Sequence, residues 1–135
     1  VTIDPLGVHD RASLDGAFDT IRRGTPDAFM TTADPVLQSY RTLIAEFAAE
    51  RRLPSMHGDR DYVTAGGLMF YGTSMTDMWR HAAIYVDRIF KGAKPGDLPV
   101  EQPTNFDLVI NMKTAKALGL TIPHTILLRA TQVIE

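Results

Sequence analysis

Apolar residues recur along the chain in short runs, which glycine, proline and aspartate interrupt at regular intervals. Apolar positions spaced by three and four residues predict amphipathic helices, and short apolar runs bounded by turn residues predict buried strands. Strands are therefore predicted at residues 1–3, 28–32, 53–57, 68–71 and 106–110. Helices are predicted between residues 10 and 24, 34 and 52, and 74 and 92, over residues 113–118, and in one or two turns after Pro123.

Capping residues support these helices. Asp34 precedes Pro35, and a capping carboxylate followed by proline at the first helical position is a strong start signal. Gly92 and Gly119 stand where left-handed C-caps are expected. Residues 59–64 are predicted to form a polar turn or short helix, and residues 93–103 an extended connection.

The alternation of strands with helical crossovers predicts an α/β fold: a mostly parallel sheet with helices on both faces. In such folds, ligands bind outside the carboxyl ends of the strands. That rule directs attention to the loops at residues 32–34, 58–60 and 71–73.

Composition narrows the function classes. The chain has 135 residues, 44% of them apolar and 22% charged, as expected for one globular domain. A net charge of -2 makes nucleic acid a poor partner, and the absence of cysteine excludes disulfides and thiolate sites. The sequence contains no run of 18 apolar residues, so no membrane span is predicted. The first residue is Val and no signal sequence is visible, so we expect a processed or excised piece of a larger protein.

Signatures of catalysis are missing from the sequence. It contains no GxGxxG, Walker A or GxSxG motif, and the four histidines form no HExxH pattern. Asp59 and Asp61 near His57 are a weak metal-site signal, because a lone histidine at a strand end is usually a satisfied or exposed side chain. We therefore predict no catalytic residue, no metal and no cofactor, and a binding domain is favoured over an enzyme.

Two carboxylates stand at predicted strand ends. Asp34 is an N-cap that also faces the expected crevice, where it could accept a hydrogen bond from an ammonium or hydroxyl group. Asp59 fits an Asx-turn, or equally a contact with a polar or cationic ligand group. Tyr62 and Tyr71 suit either ordinary packing or contact with a ligand.

Three longer stretches carry a family resemblance. They are residues 53–72 (LPSMHGDRDYVTAGGLMFYG), 85–104 (YVDRIFKGAKPGDLPVEQPT) and 106–123 (FDLVINMKTAKALGLTIP). Together they resemble the C-terminal part of the bacterial ABC-transporter substrate-binding proteins, which are built on the type I periplasmic binding fold.

The resemblance implies a two-lobed protein that closes on a small molecule, possibly an amino acid, and delivers it to an ABC permease in the membrane. This chain would be one incomplete lobe of that fold, starting after the lobe's first strand and helix. The N-terminal lobe is then absent, and residues 68–103 would include the segment that crosses to that missing lobe and returns. The ligand residues implied on this lobe are Thr32 and Asp34 for polar contacts, Asp59 for a polar or cationic group, and Tyr62 for stacking. Relatives often carry Tyr where this chain has His57.

The resemblance also implies an exported protein working in the periplasm or another extracytoplasmic space. The predicted helix at residues 75–90 would leave its apolar stripe without a partner, which suggests a homodimer or domain swap. Two other functions stay open from the residues alone. One is an effector-binding sensor domain of a regulator or receptor, and the other is a small doubly wound enzyme.

Overall fold

A computed structural model describes the whole chain, residues 1–135, as one five-stranded sheet with associated helices. The strands are β1 (Phe29–Thr31), β2 (Ser55–His57), β3 (Met69–Thr73), β4 (Phe106–Asn111) and β5 (Gln132–Ile134). The helices are α1 (Arg11–Arg23), α2 (Pro35–Ser39), α3 (Arg41–Arg51), α4 (Asp61–Thr64), α5 (Met75–Phe90), α6 (Met112–Ala117) and α7 (His124–Leu127), with a 3₁₀ turn at Pro95–Asp97. None of these helices has the length and apolar content needed to cross a bilayer.

The strands follow one another across the sheet in chain order. β1 pairs with β2, β2 with β3, and β4 with β5 in parallel, whereas β3 and β4 are antiparallel. The predicted mostly parallel α/β sheet is confirmed. Because β1, β2 and β3 run in the same direction, their carboxyl ends meet at one edge of the sheet.

Helices cover the two sheet faces unequally. The main core cluster joins α1, α3 and α4 and consists of Leu14, Phe18, Ile44, Phe47 and Tyr62. A second cluster on the same face joins α4 to β3 and β4 and consists of Val63, Phe70 and Val109. On the opposite face, Ile126 of α7 and Arg129 border a groove lined by residues of β2, β3 and β4. Fully burying side chains of this size stabilises the fold by about 1.5–3 kcal/mol each, so the first face supplies most of the stability.

The predicted helix boundaries have the expected capping contacts. Asp10 forms a reciprocal capping box with Ser13 at the start of α1. Asn111 accepts a hydrogen bond from the Thr114 backbone N–H at the start of α6. Gly92 and Gly119 follow α5 and α6 in the left-handed region, with φ of 101° and 71°, which glycine adopts without strain.

Three details differ from the sequence predictions. Residues 1–3 form no strand, because they are exposed and pair with nothing in the sheet. The single helix predicted after Asp34 is broken at Tyr40 into α2 and α3, since the Tyr40 backbone (φ −103°, ψ 12°) leaves helical geometry. The tail after Pro123 contains the short helix α7 but then becomes strand β5, because residues 132–134 pair with β4.

Helix α5 stands apart from the sheet. None of its 16 residues is buried. Side-chain contacts join it instead to the segment that leads back to β4: the Tyr85 hydroxyl donates to the Pro99 carbonyl (2.6 Å), and Asn105 Nδ2 donates to Asp77 Oδ2 (2.9 Å). The chain thus leaves the sheet after β3, forms a projecting unit over residues 74–105, and returns as β4.

Candidate ligand site at the carboxyl ends of the parallel strands

The loops after β1 and β2 meet at Gly58, beside the carboxyl-terminal part of β3. Its backbone N–H donates to the Thr31 carbonyl (2.9 Å), and a Cβ added to it would stand 2.5 Å from Ala33 N. A Cβ at Gly72, in β3, would in turn lie 3.4 Å from the Gly58 carbonyl oxygen. No side chain fits at Gly58, so glycine there lets the first two loops touch.

Asp34 is held at the first of these loops by its capping role. Its Oδ1 accepts hydrogen bonds from the backbone N–H groups of Val36 (2.8 Å) and Leu37 (3.0 Å), so the predicted N-cap is confirmed. The half-buried side chain keeps Oδ2 free of protein donors. One oxygen therefore fixes the helix end, and the other remains open to a further donor.

Asp59, at the second loop, likewise uses one carboxylate oxygen to bind the backbone. Its Oδ1 accepts from the Asp61 backbone N–H (2.9 Å), as in an Asx-turn at the start of α4. The Asp61 carboxylate accepts from Gln38 Nε2 (3.1 Å), which ties the second loop to α2. The Asp59 and Asp34 carboxylates are thus presented from adjoining loops, each with one oxygen committed to the backbone.

His57 forms a buried floor beneath these loops. Its side chain is 1% exposed, and its two ring nitrogens pair with the hydroxyls of Thr31 (2.9 Å) and Ser55 (3.0 Å). Burial lowers the pKa of His57 to about 4, so the ring is neutral at physiological pH. A neutral imidazole has one donor and one acceptor nitrogen, which the two hydroxyls satisfy.

Tyr62 lies against this histidine. The two rings stack with centroids 4.2 Å apart and an interplanar angle of 7°. The Tyr62 hydroxyl is buried and has no hydrogen-bond partner. Its pKa is raised to about 12, first by burial and also by the negative charges of Asp59 and Asp34, and the Thr31 side chain partly opposes this rise. The hydroxyl is therefore protonated at physiological pH.

The four site residues named from the sequence occupy this edge in different ways. Thr32 is exposed, and Asp34 and Asp59 are half-buried. Tyr62, expected to stack on a ligand, is only 1% exposed, and its ring stacks on His57 instead. No open ring face is available for that contact in this structure.

Sequence reasoning missed two contributors. Gln38 links α2 to Asp61 and leaves its buried Oε1 without a partner, and Thr31 holds His57 from the neighbouring strand. Gln38 is one polar residue on a helix surface, so its sequence position carries no signal for this contact. Thr31 could have been found from strand register, since it pairs directly with His57.

The polar groups at this edge are suited to hydrogen bonding with a ligand. Two carboxylates and the exposed Thr32 offer acceptor oxygens, and charge-assisted bonds to such carboxylates favour ammonium or other donor groups. The one histidine here is neutral, and both its nitrogens pair with the hydroxyls of Thr31 and Ser55.

Comparison with known proteins places the chain among binding proteins. The model of the family described as ABC transporter substrate binding protein matches residues 1–134. A solved ABC domain from Streptococcus pneumoniae in complex with L-Trp is 26% identical, with a TM-score of 0.88, over 99% of this chain and 46% of that one. A conserved domain protein from Vibrio cholerae is 30% identical, with a TM-score of 0.79, over 90% of this chain and 41% of that one.

A curated relative agrees with these structures. A tyrosine-binding protein from Clostridioides difficile is 24% identical over 97 residues, which are 72% of this chain and 28% of that protein. The chain therefore spans less than half the length of each of these relatives. With the family model matching almost every residue, the chain belongs to the ABC transporter substrate-binding protein family.

Proposed function

We propose that this chain is part of the solute-binding component of an ABC importer. The complete protein binds an amino acid in a crevice between two lobes and delivers it to a membrane permease, working in the periplasm or another extracytoplasmic space. Closure follows from ligand contacts that form on both lobes only in the closed state.

The meeting of the loops after β1 and β2 at Gly58 carries the proposal. That edge is where ligands bind in open α/β sheets, and it presents the Asp34 and Asp59 carboxylates from two loops that touch at Gly58. An amino acid offers a primary ammonium group that suits such acceptors. Relatives that bind L-Trp and tyrosine support this ligand class.

We further propose that the chain corresponds to one lobe, with residues 68–103 crossing to a second lobe and back. The projecting unit over residues 74–105 supports this division, because α5 buries no residue against the sheet. The share of the solved relatives that the chain covers, 41% and 46%, fits one lobe of two.

The residues on this lobe take separate roles in the proposal. Asp34 Oδ2, Asp59 Oδ2 and the Thr32 hydroxyl contact the ligand's polar groups. Tyr62 is a positioning residue, because its buried ring stacks on His57 beneath the second loop. Most of the ligand's remaining contacts would come from the second lobe.

The proposal is tested by thermal-shift screening of the full-length gene product with the twenty amino acids. A ligand that binds only the folded state raises Tm by mass action, and we expect aromatic amino acids to give the largest shift. Failure of every amino acid to shift Tm would overturn the ligand class. Micromolar binding of an amino acid to the 135-residue chain alone, measured by calorimetry, would overturn the need for two lobes.

Aspartate-to-asparagine variants test whether the two carboxylates bind the ligand. Asp34→Asn and Asp59→Asn keep the capping oxygens, since asparagine serves as N-cap and Asx-turn residue, and so they change charge with little effect on folding. Each is expected to weaken binding about tenfold or more, as for loss of a charge-assisted bond of about 1.5–3 kcal/mol. Asp27→Asn is the matched control, because this exposed carboxylate precedes β1 at the opposite edge of the sheet, and it should bind normally. Wild-type affinity in both site variants would refute the assignment.

A further inference from the structure

We infer that the chain carries a second ligand site, a pocket for a phosphate group at the edge of the sheet opposite the crevice. The pocket has a volume of about 270 Å³ and lies between α3, α6 and the loop that precedes β3. Two cations line it, Arg52 at the end of α3 and Lys113 in the first turn of α6. This site is separate from the proposed amino-acid site and does not depend on it.

The pocket lies away from the path to the proposed second lobe. Arg52 precedes β2 and Gly66 precedes β3, whereas Lys113 follows β4, which runs antiparallel to β3. All three therefore lie at the amino ends of β2 and β3, where the Asn111 N–H donates to the Leu68 carbonyl (2.9 Å). The projecting unit leaves and re-enters at the other edge, after β3 and before β4. The opening of the pocket is thus unrelated to the segment that crosses between lobes.

The positive charge in the pocket is not balanced by the protein. No acidic side chain lines it, and neither Arg52 nor Lys113 takes part in an ion pair. A guanidinium binds a phosphate through a planar pair of donors, and an ammonium adds a point charge. A phosphate monoester carries a charge of about −1.5 to −2 at neutral pH, so it matches two cations, whereas a carboxylate carries a single charge.

The backbone of Arg52 gives an independent reason to assign it a function. Its φ of 51° and ψ of 39° are left-handed, and it is the only non-glycine residue of the chain with a positive φ. After α5 and α6, Gly92 and Gly119 take the left-handed position instead, because a side chain is disfavoured there. Arginine at this position therefore costs stability, and strained residues of this kind cluster at ligand-binding sites.

Hydrogen bonds between elements hold the walls of the pocket in place. Thr114 Oγ1 donates to the Gly66 carbonyl (2.9 Å), and Asn111 Nδ2 donates to the Val63 carbonyl (3.2 Å). The start of α6 is thus tied to α4 and to the loop after it. Helix α4 packs against α3 but has only four residues, so it leaves space between α3 and α6. A pocket that is already formed loses little conformational freedom when it binds a ligand.

Binding of inorganic phosphate to the full-length gene product tests the inference. Titration calorimetry, referenced to sodium chloride at equal ionic strength, should detect binding by the wild type, and Arg52→Gln and Lys113→Gln should each weaken it about tenfold or more. Both side chains are exposed, so folding, followed by circular dichroism, should persist. Lys116→Gln is the matched control, because it removes the same charge from α6 outside the pocket, and it should bind normally. No binding by the wild type, or equal weakening in Lys116→Gln, would overturn the inference.

Two variants at position 52 separate a ligand contact from a structural role. Arg52→Gly and Arg52→Ala both remove the guanidinium, but only glycine relieves the left-handed backbone. We expect a higher Tm for Arg52→Gly than for Arg52→Ala, with the same loss of phosphate affinity in both. Wild-type phosphate affinity in the more stable Arg52→Gly would show that the guanidinium does not bind the ligand, which would overturn the assignment.

Further titrations identify the ligand and separate the two sites. Inorganic phosphate and glycerol phosphate distinguish a free ion from a phosphate monoester, and acetate should bind more weakly than either. Acetate binding as tight as that of phosphate would overturn the choice of a dianion. Arg52→Gln and Lys113→Gln should keep the wild-type thermal shift with amino acids, so this inference can fail while the proposed function stands.

Discussion

At the scale of single residues, the site depends on polar groups that do two tasks at once. Asp34 and Asp59 each use one oxygen to fix a backbone turn and leave the other open. Both ring nitrogens of His57 instead form hydrogen bonds with neighbouring hydroxyls, and its ring stacks on Tyr62. The carboxylates are therefore available for recognition, whereas the histidine is structural.

The buried neutral His57 makes stability depend on pH. The unfolded chain protonates this residue near its ordinary pKa of 6.5, whereas the folded chain does so only near pH 4. Between those values the unfolded state binds more protons, so stability falls as pH falls. We expect His57 to account for a loss of about 2 kcal/mol between pH 7.5 and pH 5.

Urea unfolding at both pH values, at fixed protein concentration, measures this loss. His57→Gln should be less stable at pH 7.5 but should lose that much less on acidification. His124→Gln, which changes an exposed histidine, should retain the wild-type loss. Equal acid sensitivity in His57→Gln and the wild type would contradict a neutral buried ring.

At the scale of secondary-structure elements, close backbone approach organises the site. The loops after β1 and β2 touch because Gly58 has no side chain. Helices α2 and α4 then start immediately beyond those loops, and the Gln38–Asp61 hydrogen bond joins them. The strand ends and helix starts thus form one connected unit.

Gly58→Ala should disrupt that unit. The added methyl would lie 2.5 Å from Ala33 N, so the two loops must move apart, at a cost of about 1–3 kcal/mol in unfolding free energy. Gly16→Ala is a control of opposite sign: its Cβ meets nothing within 4 Å, and alanine favours a helix interior by about 1 kcal/mol. Thermal unfolding of both variants measures the effects. An unchanged Tm for Gly58→Ala would show that the loops do not touch.

Local signals explain how far the sequence could predict these elements. The capping contacts of Asp10, Asp34 and Asn111 depend on residues within three positions, and those helix starts were predicted. Strand β5 was missed because residues 132–134 become a strand only by pairing with β4, far away along the chain. The stack of His57 on Tyr62 was missed for the same reason, since it forms only when α4 packs across the strand ends.

At the scale of the whole molecule, stability is distributed unevenly. Val109 and Ile110 in β4 are fully buried, whereas α5 buries no residue and depends on hydrogen bonds to the returning segment. Elements with few buried apolar contacts open locally at low free-energy cost.

Hydrogen exchange should resolve this difference. At low micromolar concentration, we expect α5 amides to exchange about 100-fold or more faster than those of β4. Protection of α5 equal to that of β4 in a dilute monomer would contradict the exposed position of this helix.

The antiparallel step between β3 and β4 has a consequence for how such proteins can be remodelled. Thr73 pairs with Phe106, and the Ser74 N–H donates to the Asn105 carbonyl, so the chain departs and re-enters at adjacent points. A two-residue hairpin could bridge that gap and excise residues 74–105 without breaking a ladder pair. Evolution, or a protein engineer, can therefore exchange the whole excursion as a cassette while the five strands keep their alignment.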